Sequence, residues 1–204
     1  MKKFMALLLV AGMTLSLTAC GGSTDTAKTD QADGKDTFTV GFDQDFPPFG
    51  YVGDDGEFTG FDIEMATECA ARMGKKIVLQ PIDWDAKDME LEAGTIDCIW
   101  NGFTMNGRED QYTWTDPYMD NSQVIVVKKD SGINTLADLA GKVVEVQKES
   151  AAETALNDEE HADLTASFAQ LLSVGEYNTA FMDLESGAVD AVAIDIGVAQ
   201  FQIE

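Results

Sequence analysis

Apolar residues recur along the first half of the chain with two different periods, and the two kinds of segment alternate. Short β-prone runs predict strands, and longer runs with apolar residues on one helical face predict helices. The strands are expected at 37–42, 76–81 and 96–100, and the helices at 61–73 and 85–93. Gly74 and Gly94 follow the two helices, where glycine commonly ends a helix. This order predicts a parallel sheet with helical crossovers.

A second α/β unit follows an extended, strongly β-prone segment at 122–128. Its helices are expected at 136–139, 150–156 and 177–186, and its strands at 142–146, near 165–172 and at 189–194. Two such units joined by one extended segment predict an α/β protein of two lobes with a cleft between them. We expect lobe 1 at 37–121, a hinge crossover strand at 122–128 and lobe 2 at 129–204.

The candidate ligand-binding residues lie at the ends of the predicted strands. Open α/β sheets bind ligands at the carboxyl ends of their strands. Five such ends are expected at one cleft, and they carry Asp43, Trp84, the segments 102–108 and 147–151, and Asp195. In the first of these segments, Gly102, Thr104 and Arg108 together suit a small anion, and a guanidinium matches a carboxylate bidentately. The alternative is a surface arginine paired with its acidic neighbours.

The other candidates also have two interpretations. Asp195 ends an apolar strand, where it either caps the next helix or serves as the counter-ion of an ammonium group. Phe46 and Trp84 are either core aromatics or the walls of a pocket. Asp43 either caps the turn before Pro47 or favours a polar or cationic ligand group.

The charge and composition of the chain argue against several classes of binding partner. The chain has 37 acidic and 13 basic residues, a formal charge of −24, so a nucleic acid or an anionic lipid surface is not expected as a partner. No cluster of residues suggests a metal site, and no cofactor is predicted. His161 lies in an acidic run and is expected at the surface. Cys69 and Cys98 either form a disulfide or are two buried free thiols.

The amino terminus reads as an export signal. A basic start and an apolar run predict a signal peptide at 1–19. The residues around Cys20 resemble the lipobox of bacterial lipoproteins, which implies lipidation of that cysteine; a plain signal peptide with an incidental cysteine is the alternative. The polar residues up to position 36 predict a disordered tether.

The chain from Thr37 onward resembles the amino-acid-binding lipoproteins of ABC importers, in family 3 of the bacterial solute-binding proteins. The motifs that carry the resemblance are GFD with FPPF at 41–49, GFDI at 60–63, NGFT with Arg108 at 101–108, LADLAGKV at 136–143, and VDAV with Asp195 at 189–195. The resemblance implies a two-lobe fold of the type II periplasmic binding proteins. By its length it also implies a chain incomplete at the carboxyl terminus, without the return crossover and the end of lobe 1.

The resemblance assigns roles to the candidates. Arg108, Thr104 and the Gly102 backbone would hold the α-carboxylate of an amino acid, and Asp195 its amino group. Phe46 and Trp84 would enclose its side chain, and Asp43 would touch the polar end. Ser150 would close over the carboxylate from lobe 2, although Glu149 and Ala151 depart from the usual family residues there.

The expected function is therefore extracytoplasmic binding of a free amino acid, with a polar or basic side chain, and its delivery to an ABC permease. The expected protein is a monomer that touches the membrane through its lipid anchor only, and it is not an enzyme. A dehydratase-like enzyme on the same fold and a ligand-sensing domain are the alternatives.

Overall fold

The computed structural model describes residues 36–203. The predicted signal peptide, Cys20 and nearly all of the predicted tether lie outside the described residues. The strands are β1 Thr37–Phe42, β2 Asp45–Phe46, β3 Gly50–Val52, β4 Phe58–Thr59, β5 Lys76–Pro81, β6 Cys98–Ile99, β7 Gln123–Val127, β8 Val143–Gln147, β9 Gln170–Val174 and β10 Ala191–Asp195. The α-helices are α1 Phe61–Arg72, α2 Lys87–Ala93, α3 Ala151–Asn157, α4 Ala162–Ser167, α5 Tyr177–Ser186 and α6 Ile196–Ile203. Short 3₁₀ helices occur at Trp84–Ala86, Leu136–Leu139 and Glu159–His161.

The first parallel sheet has the strand order β5-β1-β6, as the alternation of strands and helices predicts. Helix α1 buries Ile63, Ala66 and Ala70, which share one face because they recur every three or four residues. Gly74 follows α1 with a φ of 66°. We call the part of the chain built on this sheet lobe 1.

A small antiparallel sheet of β2, β3 and β4 was not expected from the sequence. Its strands are two or three residues long, too short for a period to be visible. Gly60 ends this segment with a φ of 124°, and a Cβ atom there would lie 2.4 Å from the Phe49 carbonyl oxygen. Only glycine fits this position, which fixes the path of the chain between the small sheet and α1.

The second main sheet has the order β7-β10-β8-β9, and we call the part built on it lobe 2. β10, β8 and β9 are parallel, whereas β7 runs antiparallel to β10. The segment expected as a hinge crossover strand therefore includes a member of this sheet. Val192 and Ile194 face one apolar cluster with α5, and Ala191 and Ala193 face another with α3, so the sheet is covered on both faces. The predicted lobe boundaries stay predictions.

Two local predictions were wrong. Residues 165–167 belong to α4 and not to a strand, and β9 starts later, at Gln170. Leu164 and Phe168 are four residues apart and pack into the same apolar cluster, a helical spacing that the sequence interpretation overlooked. His161 is half-buried instead of exposed, and its Nδ1 is buried without a partner among the described residues.

Two further features bear on the predictions. Cys69 and Cys98 are free thiols in the structure. Within residues 36–203, no helix combines the length and the apolar character that crossing a membrane requires.

Candidate functional site

Strand ends from both lobes meet around one small cavity. It is lined by Phe46, Trp84, Asn101, Gly102, Phe103, Thr104, Arg108, Gln147, Ser150, Ala151 and Asp195. All of the candidate ligand residues from the sequence are in this lining except Asp43, and Asp43 is hydrogen-bonded to the lining residue Gln147. The structure thus brings the candidates together, because the carboxyl ends of the strands of both sheets face the same space.

Arg108 lies at the lobe 1 side of the cavity and is buried. Its Nη1 donates to the Thr104 carbonyl oxygen at 3.3 Å, and its Nη2 donates to the Glu149 carbonyl oxygen at 3.2 Å and the Thr154 hydroxyl at 3.1 Å. These acceptors, all of those found for it in residues 36–203, are neutral oxygens. The alternative of a surface arginine paired with its acidic neighbours is therefore wrong, and a buried guanidinium with neutral partners suits a carboxylate ligand.

Asp195 lies at the lobe 2 side, at the end of β10, and is buried. Its Oδ1 accepts a hydrogen bond from Gln123 Nε2 at 2.7 Å and another from Asn121 Nδ2. Burial raises the pKa of this carboxyl above its ordinary value, against the opposing effect of the two amides and of the Arg108 charge. The hydrogen-bond donors to the Asp195 carboxyl are thus neutral amides. A positively charged donor in their place would lower the pKa of this carboxyl and favour its ionised form.

Asn121 connects the two sides of the site. Its Nδ2 also donates to the Thr104 hydroxyl at 3.1 Å. Because Asn121 lies in the segment between the lobes, one exposed amide contacts a candidate residue of each lobe. The sequence interpretation did not identify it, since an asparagine just before a strand has no distinguishing pattern.

Asp43 is buried at the end of β1, and its two oxygens have separate partners. The Asp45 backbone N–H donates to Oδ1 at 2.8 Å, and Gln147 Nε2 donates to Oδ2 at 2.7 Å. Burial raises the pKa of Asp43 to about 6, although both hydrogen bonds lower it. Both interpretations of Asp43 therefore find support: it closes the turn before Pro47, and it lies beside the cavity.

The aromatic candidates form part of the cavity wall. Phe46 and Trp84 are buried and come from lobe 1. The Phe46 ring centroid lies 6.0 Å from that of Tyr177 in lobe 2, and Trp84 packs edge-on against Phe103 at 5.1 Å. Phe103 also lies beneath the guanidinium of Arg108, 5.2 Å from its Cζ. The Phe103 ring therefore stabilises the positive charge of Arg108, and the aromatic residues together enclose the cavity.

Two predicted contacts are occupied by other groups. The Gly102 amide donates to the Tyr118 hydroxyl at 3.2 Å, and that hydroxyl donates to Asp62 Oδ1 at 2.9 Å. Gly102 has a φ of 57°, which favours glycine at this turn. The Ser150 hydroxyl accepts from the Glu153 N–H at 3.1 Å and so caps α3, which leaves its proton free to donate.

The cleft is closed around very little space. The cavity has a volume of about 20 Å³, enough for one water molecule. Contacts such as Gln147 with Asp43 and Arg108 with Thr154 join the two lobes across it. A ligand as large as an amino acid enters only if the lobes separate or these side chains move.

A larger cavity, of about 480 Å³, lies in lobe 2 between the sheet and the helices that cover one of its faces. Its lining is mainly aliphatic, and His161 is the one titratable residue among the lining residues. We assign the functional site to the smaller cavity because several charged groups converge there.

The chain is similar to a family of known proteins. Residues 38–182 match the bacterial extracellular solute-binding proteins, family 3. The chain is 37% identical over 148 residues to the arginine-binding extracellular protein ArtP of Bacillus subtilis, covering 72% of this chain and 56% of that protein. It is 32% identical over 194 residues to the L-cystine-binding protein TcyJ of Escherichia coli strain K12, covering 94% of this chain and 69% of that protein.

The fold also matches a solved structure. An ABC uptake transporter substrate-binding protein from Streptococcus pneumoniae with bound histidine superimposes with a TM-score of 0.78 and 36% identity, covering 82% of this chain and 69% of that one. The chain thus spans between about half and about two thirds of the length of these similar proteins.

Proposed function

This chain belongs to the bacterial extracellular solute-binding proteins of family 3, and we propose that it binds a free amino acid between its lobes for delivery to an ABC-type permease. Its α/β fold is that of the type II periplasmic amino-acid-binding proteins. Binding would shift the equilibrium between open and closed lobes, and the closed form would be presented to the permease.

The pairing of Arg108 and Asp195 across one cavity carries the proposal. An α-amino acid is a zwitterion, so it needs a cation for its carboxylate and an anion for its ammonium. Charge-assisted hydrogen bonds of this kind contribute about 1.5–3 kcal/mol each. Micromolar affinity corresponds to about 8 kcal/mol, which two such clamps and an aromatic wall are sufficient to supply.

The acidic groups of the site favour a polar or basic side chain. Asp43 lies next to the cavity with neutral hydrogen-bond donors and a pKa raised to about 6. A guanidinium, ammonium or imidazolium group would supply the missing positive charge. Relatives named for arginine and cystine, and a neighbour with bound histidine, support this class of ligand.

A dehydratase-like enzyme is the second candidate. Asp43 favours it, because a carboxyl with a pKa of about 6 is suited to exchange protons near neutral pH. Against it, both Asp43 oxygens already accept hydrogen bonds from protein groups, so binding without chemistry explains the site with fewer assumptions. Recovery of the bound amino acid unchanged after prolonged incubation would distinguish a binding protein from an enzyme.

We also propose that the protein is monomeric and held at the outer face of the cytoplasmic membrane by a lipid on Cys20. The lipobox-like residues around Cys20 support the lipid anchor. Cys20→Ser would release the exported protein from the membrane fraction, and retention of the variant in that fraction would contradict lipid anchoring.

A thermal-shift screen of the twenty amino acids tests the binding proposal directly. Ligand that binds only the folded state raises the melting temperature, and a concentration of 100 times the Kd adds about 2.7 kcal/mol. We expect stabilisation by one or more polar or basic amino acids. No stabilisation by any of the twenty would refute the proposal.

A further inference from the structure

Tyr177, the first residue of α5, holds a polar group in an unusual position. The residue is 0% exposed, and its hydroxyl is buried without a hydrogen-bond partner among the described residues. Most buried polar groups in proteins have a partner, since leaving one unpaired costs free energy. An unpaired phenol in this interior therefore calls for an explanation.

The surroundings of Tyr177 place it directly behind the candidate site. Its ring packs against Phe46, which belongs to lobe 1 and lines the cavity. Ser150 and Gln147, which also line the cavity, lie near the hydroxyl. A separation of the lobes would move Phe46 away with lobe 1 and would uncover this part of lobe 2.

The charges near the hydroxyl determine what it can recognise. Burial, and after it the Asp195 carboxylate, raise the pKa of Tyr177 far above its ordinary value, and Asp43 adds to the effect. The phenol therefore keeps its proton at neutral pH and offers oxygen lone pairs as acceptors. A ligand group that lies near the Asp195 and Asp43 carboxylates and the Tyr177 oxygen is bound most strongly if it is a positively charged N–H donor.

We propose that Tyr177 is a further ligand-binding residue, whose hydroxyl oxygen accepts a hydrogen bond from a cationic N–H group of the bound amino acid. This inference rests on the proposed binding function. It explains why a fully buried hydroxyl has no partner among residues 36–203 in the unliganded closed form: its partner arrives with the ligand.

Tyr177→Phe tests the inference, because it removes the hydroxyl and leaves the ring that packs against Phe46. Tyr51→Phe is the matched control, since Tyr51 lies in β3 and its ring contacts Phe201, away from the cavity. Both variants and the wild type are compared by calorimetric titration with the best ligand of the screen, and by melting temperature without ligand.

A hydrogen bond to a charged group implies a Kd about 10- to 100-fold weaker in Tyr177→Phe. The melting temperature without ligand is expected to stay the same or rise, because an unpaired polar group has been removed. Tyr51→Phe is expected to bind like the wild type.

Three results would overturn the inference. An unchanged Kd in Tyr177→Phe would show that the hydroxyl does not contact the ligand, while the proposed function would stand. A lower melting temperature without ligand than in Tyr51→Phe would show that the hydroxyl has a structural partner. A wild type that binds none of the amino acids would remove both the inference and the proposed function.

Discussion

The Nζ of Lys87 in lobe 1 lies 2.8 Å from Oε2 of Glu149 in lobe 2. The Lys87 side chain is 2% exposed, whereas that of Glu149 is 46% exposed. Glu149 has a φ of 58°, the one positive value at a non-glycine residue in residues 36–203. A left-handed conformation is unfavourable for glutamate, so contacts must hold it there. Lys87 and Arg108 of the other lobe contact its carboxylate and its carbonyl, and Glu153 of the same lobe accepts a hydrogen bond from its N–H at 2.6 Å.

Glu149→Gln is expected to weaken the closed form. The substitution keeps the shape of the side chain but leaves the buried Lys87 without its nearest counter-charge. For a half-exposed pair we expect a loss of about 1–2 kcal/mol, between the values of surface and buried pairs. Ligand release measured by stopped-flow fluorescence would then be about 5- to 30-fold faster.

The control for the Lys87–Glu149 ion pair is a second ion pair between the lobes. Lys148 Nζ lies 2.7 Å from Asp85 Oδ2, but the two side chains are 54% and 37% exposed. Lys148→Met is expected to change the release rate by less than about threefold, as for other exposed pairs. Equal effects of the two substitutions would contradict a special role for Glu149.

Substitutions of Arg108 are expected to separate charge from geometry. Arg108→Ala removes the carboxylate clamp and should weaken binding more than about 100-fold. Arg108→Lys keeps the charge but loses the planar fork, so a weakening of about tenfold is expected. Isothermal titration measures both. Arg72→Ala is the control, because Arg72 is exposed on α1 and pairs with Glu68. Strong binding by Arg108→Ala would mean that the carboxylate lies elsewhere.

Asp43 is expected to make the binding of basic amino acids depend on pH. Its pKa in the unliganded protein is raised to about 6, so the carboxylate is increasingly protonated as the pH falls below that value. Affinity for a cationic ligand should therefore rise between about pH 5 and 7 and then level off. Asp43→Asn should abolish this dependence and weaken binding of basic ligands more than of neutral ones, as titrations at several pH values would detect.

Asp62 is expected to reduce stability at neutral pH. It is 0% exposed on α1, and burial raises its pKa to about 6, against the hydrogen bond from Tyr118. The folded state therefore binds the proton more tightly than the unfolded state. The stabilisation is complete below about pH 4, the ordinary value for aspartate, and is lost as the pH rises to about 6.

Asp62→Asn removes this charge and can still accept from the Tyr118 hydroxyl. We expect its melting temperature at pH 7 to exceed that of the wild type by about 2–6 °C, for a gain of about 1–2 kcal/mol. The difference should shrink towards pH 4. Asp54→Asn, in an exposed turn, should show neither effect, and a destabilised Asp62→Asn at both pH values would count against the argument.

The sequence predicted the main elements well where a period extends over five or more residues. β1 and β5 have the predicted bounds, and α1 ends one residue early, because its apolar face and Gly74 are clear signals. The candidate site was assembled from strand ends, and that rule identified nearly all of the residues around the cavity.

What the sequence could not supply depends on tertiary contacts. Gln147 was at a predicted strand end, but its contact with Asp43 depends on how the two sheets face each other. Tyr177 looks like any aromatic residue at the start of a helix, and only the structure reveals its unpaired hydroxyl. The capping role of Ser150 could be read locally, whereas the strained backbone of Glu149 could not.

Asn121 determines which hydrogen bonds are exchanged when the proposed ligand binds. Its amide donates to Thr104 and to Asp195 at once, in the place between the lobes that the ammonium group of a ligand would take. Binding would then exchange one donor for another at Asp195. The neutral Asn121 amide would leave, and the charged ammonium group of the ligand would replace it. The measured heat of binding would be the difference between two similar sets of hydrogen bonds, and most of the free-energy gain at this end would come from the added charge.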